Sequence, residues 1–420
     1  MPTKPVIGIY VQRFPVPSET FIVTKVLGLL AAGFDVRIFA AAPSDHWGRF
    51  AALNGDVGDD VRQRLHIAPP TRPLSKMLTR GIAQVLRTAL VHPLDFGRLM
   101  LHSWRTRHDS TQGFLRGVYS RVNFVGHRVD VLHVEFDAQG VNIADMKDYL
   151  HCRLLLSARG TFQMTTVPDW FPGVFDYLFR YVDGYHFIGD FLRENTRRLG
   201  LPNDVPTWLI YPAVDLQLFR ADNPRQPHDP NAPLKILSVG RLAWAKGYEF
   251  ALDTVLRLRQ RGLDVRYTVL GEGPYLDALT FAANQLGITD IVTFVGAVPR
   301  EKVIAYYQDA DVLLHLALEE GFCNAVIESQ AMGLPVVCSD VGGLPENIAD
   351  GVTGFLVPQR DPDAAADKLI ELAHNPELAL KMGAAGRERS FAHYDLSEQI
   401  ERFTLLYLEL AALPVRKSQP

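Results

Sequence analysis

Short apolar runs alternate with longer amphipathic segments along the first part of the chain. The runs PVIGIYV (5–11) and DVRIFA (35–40) have the length and composition of buried strands. The segment between them predicts a helix with Ser18 as its N-cap and Gly33 as its C-terminal stop. This order of strand, helix and strand predicts a parallel βαβ unit. Two further strands are predicted at 129–136 and 152–160.

The same alternation resumes after residue 233 and continues to about residue 357. A proline-rich stretch at 220–233 precedes it and is the best candidate for a linker. The pattern therefore predicts an α/β protein with two doubly wound, Rossmann-like domains that face each other across a cleft. Since open α/β sheets bind ligands at the carboxyl ends of their strands, we expect a ligand held by both domains.

Composition is that of a globular protein with sizeable cores. The 420 residues are 47% hydrophobic and 21% charged, and the net charge of −4 gives no global field that would attract nucleic acid. Cys152, Cys323 and Cys338 have no metal-site spacing, which predicts reduced thiols in a cytoplasmic protein. The apolar run at the N-terminus is too short for a signal peptide, and no run of 18 apolar residues predicts a membrane span.

Residues 72–128 differ from the rest in charge. They contain ten Lys and Arg against two Asp, a net charge of +8, and apolar residues recur among them at helical spacing. This pattern predicts a helical insertion that lies on an anionic membrane surface, which would make the protein peripheral at the inner face of the membrane. The alternatives are an ordinary insertion with a solvated basic face, or a soluble acceptor bound by the same arginines.

Two carboxylates flank an apolar segment near the end of the second domain. In EEGFCNAVIESQAMG, Glu320 precedes a helix predicted to begin near Asn324, and Glu328 lies in its first turns. A carboxylate near a helix N-terminus is stabilised by the helix dipole and can accept hydrogen bonds from hydroxyl groups. The alternative is that acidic residues simply favour first helical turns.

Two cations follow the first strand of the second domain. In SVGRLAWAKGYEF, Arg241 and Lys246 stand in a loop between a strand and a helix, framed by Gly240 and Gly247. Such a loop suits a diphosphate, although both side chains could instead be solvated at a surface turn. Cations for phosphates and carboxylates for hydroxyls together predict a sugar-nucleotide site.

These motifs resemble retaining family-four glycosyltransferases of the GT-B fold. The resemblance rests on Glu320 and Glu328 spaced as E-x7-E, on VGR followed by Lys246, on GEGP (271–274) and on VGGLPENIADGVTGFLV (341–357). FPVPSETFI (14–22) resembles exopolysaccharide glycosyltransferases of the colanic acid and amylovoran type. LIYPAVDLQLF (209–219) resembles the segment before the interdomain linker of such enzymes.

The resemblance implies a retaining hexosyltransferase with a UDP- or GDP-linked donor, no further cofactor and no metal. It implies that Glu328 binds the ribose hydroxyls, that Glu320 and the N–H groups of residues 321–323 bind the transferred sugar, and that Arg241 and Lys246 bind the diphosphate. The implied catalytic residues are Arg241, Lys246 and Glu320. The implied donor-binding residues are these three with Gly240, Gly321, Phe322, Cys323 and Glu328.

The acceptor side departs from the family pattern. QRFPVPSETF stands where many relatives carry a Gly-Gly turn, so Ser18 and Glu19 are the acceptor-side candidates there. His133 and Arg159 occupy positions where the family often has other motifs, and a core role for His133 is an equal alternative. The pair Asp309 and Asp311 is interpreted as a turn and cap, and GEGPYLDAL lacks the third glycine of a dinucleotide fingerprint.

We expect an acceptor-side domain at 1–212, a nucleotide-sugar-binding domain at 213–391 and a terminal segment at 392–420 that returns to the first domain. The expected function is sugar transfer to a glycan or lipid-linked acceptor in polysaccharide or glycolipid assembly. The alternatives are an NDP-sugar epimerase of the same fold and a noncatalytic sugar-nucleotide-binding protein.

Overall fold

The computed structural model describes residues 4–107, 110–160, 173–220 and 225–417, and these form two compact units. The first unit contains the described residues up to Phe187, the segment Thr196–Leu209 and the described residues from Ile400 onward. The second contains Ile188–Asn195 and the described residues of Ile210–Gln399. Each unit is built on one parallel sheet, so the predicted α/β class with two Rossmann-like domains is confirmed. The boundaries near 212 and 391 stay predictions, because compactness does not test independent folding.

The sheet of the first unit has seven strands among the described residues, in the order β3-β2-β1-β4-β5-β6-β7. Its central strand β4 is buried along its whole length, as expected where both faces of a parallel sheet are covered. The strands are β1 Val6–Arg13, β2 Asp35–Ala42, β3 Leu65–Ile67, β4 Val131–Val134, β5 Arg153–Ala158, β6 Gly184–Phe187 and β7 Thr207–Leu209.

The first helix begins later than predicted. A 3-10 turn at Pro17–Glu19 precedes the helix Thr20–Ala31, and the Ser18 side chain does not cap it. The predicted stop is confirmed, because Gly33 adopts φ +79° and its N–H donates to the Leu30 carbonyl. Among the described residues of the N-terminal half, the other α-helices outside the insertion are Gly55–Gln63, Asp137–Gly140, Met146–Leu150, Val174–Tyr181 and Asp190–Arg198.

The insertion between β3 and β4 is helical, as the sequence predicts. It contains an α-turn Leu74–Lys76, a π-turn Met77–Gly81 and the helices Ile82–Val91, Pro93–Arg107 and Thr111–Arg121. Residues 108–109 of the predicted insertion lie outside the described residues. In the described part of the chain, no helix is both long enough and apolar enough to cross a bilayer.

The sheet of the second unit has six described strands in the order β10-β9-β8-β11-β12-β13. The chain runs outward from β8 to β10 and then returns to pair β11 with β8, so the strand order reverses between β8 and β11. Loops at such a switch point commonly form the ligand site of a doubly wound sheet. The strands are β8 Leu234–Val239, β9 Val265–Leu270, β10 Val292–Gly296, β11 Val312–His315, β12 Val336–Ser339 and β13 Gly354–Val357.

Amphipathic helices supply much of the core of the second unit. In the helix Tyr248–Gln260, Leu252, Val255 and Leu258 recur at helical spacing and pack in one cluster with Tyr267 of β9. The other described α-helices that follow β9 are Leu276–Gln285, Arg300–Asp309, Asn324–Ala331, Leu344–Asn347, Pro362–His374, Pro376–His393 and Leu396–Ala412. The last of these belongs to the first unit from Ile400 onward.

The proline-rich stretch at 220–233 is not a free linker where it is described. Residues 221–224 lie outside the described residues. Arg225 donates to the carbonyls of Tyr307 and Ala310, and the His228 ring lies 3.1 Å from the Asp311 carboxylate. These contacts hold residues 225–233 against the second unit. The linker prediction is therefore wrong there, because polar contacts that the composition does not reveal fix the stretch in place.

Candidate functional site

Three neighbouring strands of the second sheet, β8, β11 and β12, end at the same edge. The loops that follow them lie at 240–247, 316–323 and 340–343. Main-chain hydrogen bonds join these loops: the Leu318 N–H donates to the Ala245 carbonyl at 2.8 Å, and the Gly343 N–H donates to the Glu320 carbonyl at 2.9 Å. The site is thus a cluster of loops held together by their own backbone.

Glycines let these loops approach one another closely. Gly247 adopts φ +58°, and a Cβ atom there would lie 2.0 Å from the Leu316 carbonyl oxygen. A Cβ atom on Gly343 would lie 2.0 Å from the Gly321 carbonyl oxygen. No side chain fits at either position, because both contacts are with backbone. The glycine pattern of the sequence therefore reflects loop packing as well as access for a ligand.

The glycines of GEGP serve the same packing. A Cβ atom on Gly271 would lie 1.9 Å from the Gly240 carbonyl oxygen, and one on Gly273 would lie 2.2 Å from the Leu242 carbonyl oxygen. The Leu242 N–H also donates to the Glu272 carbonyl at 3.0 Å. This contact explains the G-x-G without a dinucleotide, in agreement with the interpretation of the sequence.

Lys246 and Glu320 meet at the centre of the site. The Lys246 ammonium donates to the Glu320 carboxylate, which also contacts His315 Nε2 at 3.1 Å. Glu320 is only 8% exposed. Glu320 stands in a loop before the helix, as the sequence predicts, but the loops around it bury it.

The pKa values of this cluster favour the charged forms. Burial acts to raise the pKa of Glu320, but the charge of Lys246 and the hydrogen bond from His315 hold it at about 2. Burial acts to lower the pKa of Lys246, and its ion pair with Glu320 raises it above the ordinary value. Burial also acts to lower the pKa of His315, yet Cys323 and Glu320 raise it to about 9. At neutral pH the site presents an ionised carboxylate between two cations.

The loop before the helix Asn324–Ala331 offers fewer free N–H groups than the resemblance implies. The Cys323 N–H donates to Asn347 Oδ1 at 3.1 Å. The N–H groups of Gly321 and Phe322 donate to no described residue. The Phe322 ring packs near the ring of Tyr211, with 5.5 Å between centroids. Two of the three expected donors are thus available, and the third is occupied by a side chain from the short helix Leu344–Asn347.

Glu328 lies on the helix that the sequence predicts to begin at Asn324, and the helix does begin there. Its carboxylate is half-buried and accepts a hydrogen bond of 3.0 Å from the Tyr307 hydroxyl. Tyr307 is completely buried. One face of the Glu328 carboxylate is thereby held by the protein, which fixes the direction in which it can accept further hydrogen bonds.

Arg241 and Gly240 follow β8 directly. The Arg241 side chain is exposed and forms no hydrogen bond or ion pair with another described residue. The Gly240 carbonyl accepts a hydrogen bond of 3.0 Å from the Tyr248 hydroxyl. The two cations of this loop therefore differ: Lys246 is paired, whereas Arg241 is free to meet an anion from solution.

Two sets of residues bear on metal binding. Asp309 pairs with the Lys235 ammonium at 2.6 Å, and Asp311 accepts the Lys235 N–H at 2.8 Å, so both serve the structural role expected from the sequence. Among the described residues, ligand atoms of His315, Glu320 and Cys323 lie within 4.8 Å of one another and could together hold a metal ion. The adjacent Lys246 ammonium already neutralises the Glu320 carboxylate and disfavours a second cation there.

The acceptor-side candidates all lie in the first unit. Ser18 is exposed and Glu19 is half-buried in the 3-10 turn after β1. His133 is completely buried, with Nδ1 at 2.6 Å from the Tyr407 hydroxyl and Nε2 at 2.6 Å from the Ser157 hydroxyl. Because both ring nitrogens have partners, the structure favours the core interpretation of His133.

Arg159 belongs to a buried ion cluster that sequence reasoning missed. Its guanidinium lies 3.1 Å from the Glu135 carboxylate, which also accepts from the Lys25 ammonium. Burial lowers the pKa of Arg159 to about 10 and lowers the pKa of Lys25 well below its ordinary value. The cluster joins the first helix to the ends of β4 and β5, and its components come from parts of the chain whose proximity no local pattern reveals.

Three residues of the second-unit site were also missed. His315 ends β11 five positions before Glu320, and its place at the carboxyl end of a strand was a usable signal. Tyr307 and Asn347 act through side chains that reach from other helices, and the sequence carries no signal for either contact.

Comparison with known proteins agrees with this architecture. Residues 219–389 match the family model "Glycosyl transferases group 1". The chain is 27% identical over 405 residues to WcaL of Escherichia coli (strain K12), which is named as a colanic acid biosynthesis glycosyltransferase, and the match covers 94% of this chain and 97% of that protein. It is 26% identical over 410 residues to the amylovoran biosynthesis glycosyltransferase AmsK of Erwinia amylovora, covering 94% and 98%.

Solved structures share the fold at low sequence identity. The crystal structure of Anabaena Alr3699/HepE in complex with UDP-glucose superposes with a TM-score of 0.68 at 15% identity, and covers 96% of this chain and 99% of that one.

Proposed function

The chain carries a glycosyl transferases group 1 domain at residues 219–389, and from this premise we propose that it transfers a hexosyl group from a nucleotide-sugar donor with retention of anomeric configuration. The observation that carries the proposal is the loop cluster at the ends of β8 and β11. The loops and the helix that follows them carry charges of both signs, from Arg241, Lys246, Glu320 and Glu328.

Cationic side chains suit the leaving group of such a reaction. When a nucleotide sugar is cleaved, negative charge grows on the departing diphosphate. The exposed Arg241 would meet that charge first, and Lys246 would neutralise it from the base of the loop. Removal of one preorganised donor of this kind lowers kcat by about 10²–10³-fold.

The Glu320 carboxylate suits the transferred sugar. Its depressed pKa of about 2 keeps it ionised, so it can accept hydrogen bonds from sugar hydroxyls. The N–H groups of Gly321 and Phe322 are available next to it. We assign no enzymic nucleophile: the acceptor hydroxyl attacks the anomeric carbon on the face from which the diphosphate leaves, and a phosphate oxygen takes its proton. The protein supplies positioning and charge stabilisation.

Glu328 suits the ribose of the donor. Tyr307 donates to its carboxylate at 3.0 Å and fixes its position, and a carboxylate held in this way can accept further hydrogen bonds from vicinal hydroxyls. This contact acts in the ground state and the transition state alike, so it would govern donor affinity more than turnover.

The proposed process is exopolysaccharide assembly with a glycan or lipid-linked acceptor. Support comes from the full-length similarity to proteins named for colanic acid and amylovoran biosynthesis. Anabaena Alr3699/HepE, which shares the fold, forms a complex with UDP-glucose, and this supports a nucleotide-sugar donor. We propose a donor linked to UDP or GDP.

A thermal-shift panel of nucleotide sugars tests the donor without knowledge of the acceptor. A donor at about 100 times its Kd should stabilise the protein by about 2.7 kcal/mol. We expect one nucleotide base to shift the melting temperature and Lys246→Met to abolish that shift. The matched control is Lys235→Met, since Lys235 lies in the same unit but pairs with Asp309.

The reaction class is tested by product analysis with the donor so identified. Retention requires that the glycosidic product keep the anomeric configuration of the donor, read by NMR. An inverted product would overturn the retaining mechanism. Conversion of the donor into its epimer without transfer would favour the epimerase instead, and binding without any turnover would favour a sensor.

A further inference from the structure

We propose that the outer face of the helical insertion docks on an anionic lipid surface. This insertion face comprises the exposed apolar side chains of residues 74–104 and the exposed basic side chains between them. The proposal rests on the proposed function in one respect, because docking on a membrane would bring the site close to a lipid-linked acceptor. Vesicle binding needs no donor, so failure of this inference and failure of the donor assignment are distinguishable.

The apolar side chains of the face are highly exposed. Leu90 is 83% exposed and Leu94 is 84% exposed. Eleven of the twenty large apolar side chains that are exposed in the described residues fall within 74–115, so this is a patch rather than normal scatter. Five of them recur at every fourth position along the first part of the insertion: Leu74, Leu78, Ile82, Leu86 and Leu90.

Free cations accompany the apolar stripe. Arg80, Arg87 and Arg105 are exposed and form no ion pair with another described residue. Not every basic residue of the segment contributes, because Arg121 is buried in an ion pair of 2.6 Å with Asp145. Arg107 also contacts the Asn142 carbonyl, so it is a poor choice for substitution.

Exposed apolar side chains, together with arginines that are unpaired in the described structure, favour a lipid bilayer as the partner of the insertion face. Apolar side chains and arginines alternate along the same turns, which lets the former enter the acyl region while the latter stay with phosphate headgroups. A protein partner would instead require satisfied polar pairs around a shaped apolar core. Since no described helix can cross a bilayer, the contact lies in the plane of the interface.

Flotation with lipid vesicles tests the proposal directly. The protein is mixed at low salt with vesicles of phosphatidylcholine alone or with 30% phosphatidylglycerol, about the range in which anionic lipid attracts basic segments. We expect flotation with the anionic vesicles, weakened at high salt. Absence of flotation with anionic vesicles at low salt overturns the proposal.

Two sets of substitutions separate charge from apolar insertion. Each arginine near the surface should contribute about fivefold in affinity, so Arg80, Arg87 and Arg105 changed together to Ser should weaken binding about 100-fold. Leu86, Leu90 and Leu94 changed together to Ser should release the protein even at low salt. Both variants change exposed side chains, and circular dichroism checks that they fold.

The matched control removes three exposed cations elsewhere. Arg197, Lys302 and Lys381 are exposed, and their replacement by Ser changes the net charge by the same amount. This variant should float like the wild type. An equal loss of flotation in the control variant would mean that net charge alone drives binding. That result would overturn the proposal that one defined face binds the lipid.

The other candidate to cover the insertion face is a second copy of the chain. Light scattering tests this, because it measures the oligomeric state in solution. A monomer in solution supports the lipid proposal. A dimer that dissociates on replacement of Leu86, Leu90 and Leu94 would assign the face to a second copy of the chain. Hydrolysis of the donor to water should stay at the wild-type rate in every insertion-face variant, since the loops of the second unit are untouched.

Discussion

The buried pair of Lys246 and Glu320 makes a quantitative prediction about stability. Replacement of Glu320 by Gln keeps the shape of the side chain but removes the charge that lies between two cations. Loss of one partner of a buried ion pair lowers stability by about 3–5 kcal/mol. The lower end applies because the Lys246 side chain is 21% exposed and can turn toward water. We therefore expect Glu320→Gln to reduce the free energy of unfolding by about 3 kcal/mol.

The raised pKa of His315 shows that the same cluster stabilises the protonated ring, through Cys323 first and through Glu320 to a smaller extent. A rise from 6.5 to about 9 corresponds to on the order of 3 kcal/mol of favourable interaction with the protonated ring. Part of that interaction comes from Glu320, which the substitution neutralises. For Glu320 itself the pKa is lowered, so its contribution is present above its ordinary pKa and is lost as pH falls toward 2.

Urea denaturation at pH 7 measures this effect. Glu319→Gln is the matched control, because Glu319 is the preceding residue and its Oε2 has no hydrogen-bond partner in the described structure. Lys246→Met and the double variant complete a cycle, in which we expect a coupling of about 1–2 kcal/mol. The reasoning fails if Glu320→Gln is as mild as Glu319→Gln, or if the effects of the two substitutions simply add.

Three further predictions concern pH, donor affinity and metals. The difference in unfolding free energy between wild type and His315→Gln should be largest below about pH 6.5 and disappear as pH rises through 9, because the folded-state pKa is raised; a difference independent of pH would contradict this. Tyr307→Phe should raise the donor KM about five- to tenfold with kcat nearly unchanged, since it removes one hydrogen bond that holds the Glu328 carboxylate. Steady-state kinetics measure both constants, and an equal fall in kcat would assign the contact to the transition state. Transfer should survive excess EDTA, and a loss that Mg²⁺ or Mn²⁺ restores would be evidence for a required metal.

The fold could be predicted because burial leaves a strong trace in the sequence. The strands of both sheets are short apolar runs, and two-sided burial in a parallel sheet requires that composition. The start of the helix at Asn324 and the stop at Gly33 follow from local chemistry. The prediction that Ser18 caps the first helix was wrong, because a 3-10 turn begins at Pro17 and the helix begins only at Thr20.

The contacts inside the candidate site could not be predicted in the same way. The sequence indicates Lys246 and Glu320 separately, but their ion pair joins residues 74 positions apart. The occupied N–H of Cys323 depends on Asn347, which is the last residue of the short helix after β12. Such pairs are set by how loops pack on one another, and single-sequence patterns carry no record of that packing.

The hydrogen bond between His133 and Tyr407 has a consequence for biosynthesis. The two residues are 274 positions apart, and the described residues from Ile400 onward belong to the first unit. At about 5–20 residues per second, a ribosome needs roughly 14–55 s to make the intervening chain. Through that interval the nascent first sheet lacks the helix that covers His133. The first unit is thus begun first and completed last, and chaperones have that long to recognise its uncovered surface.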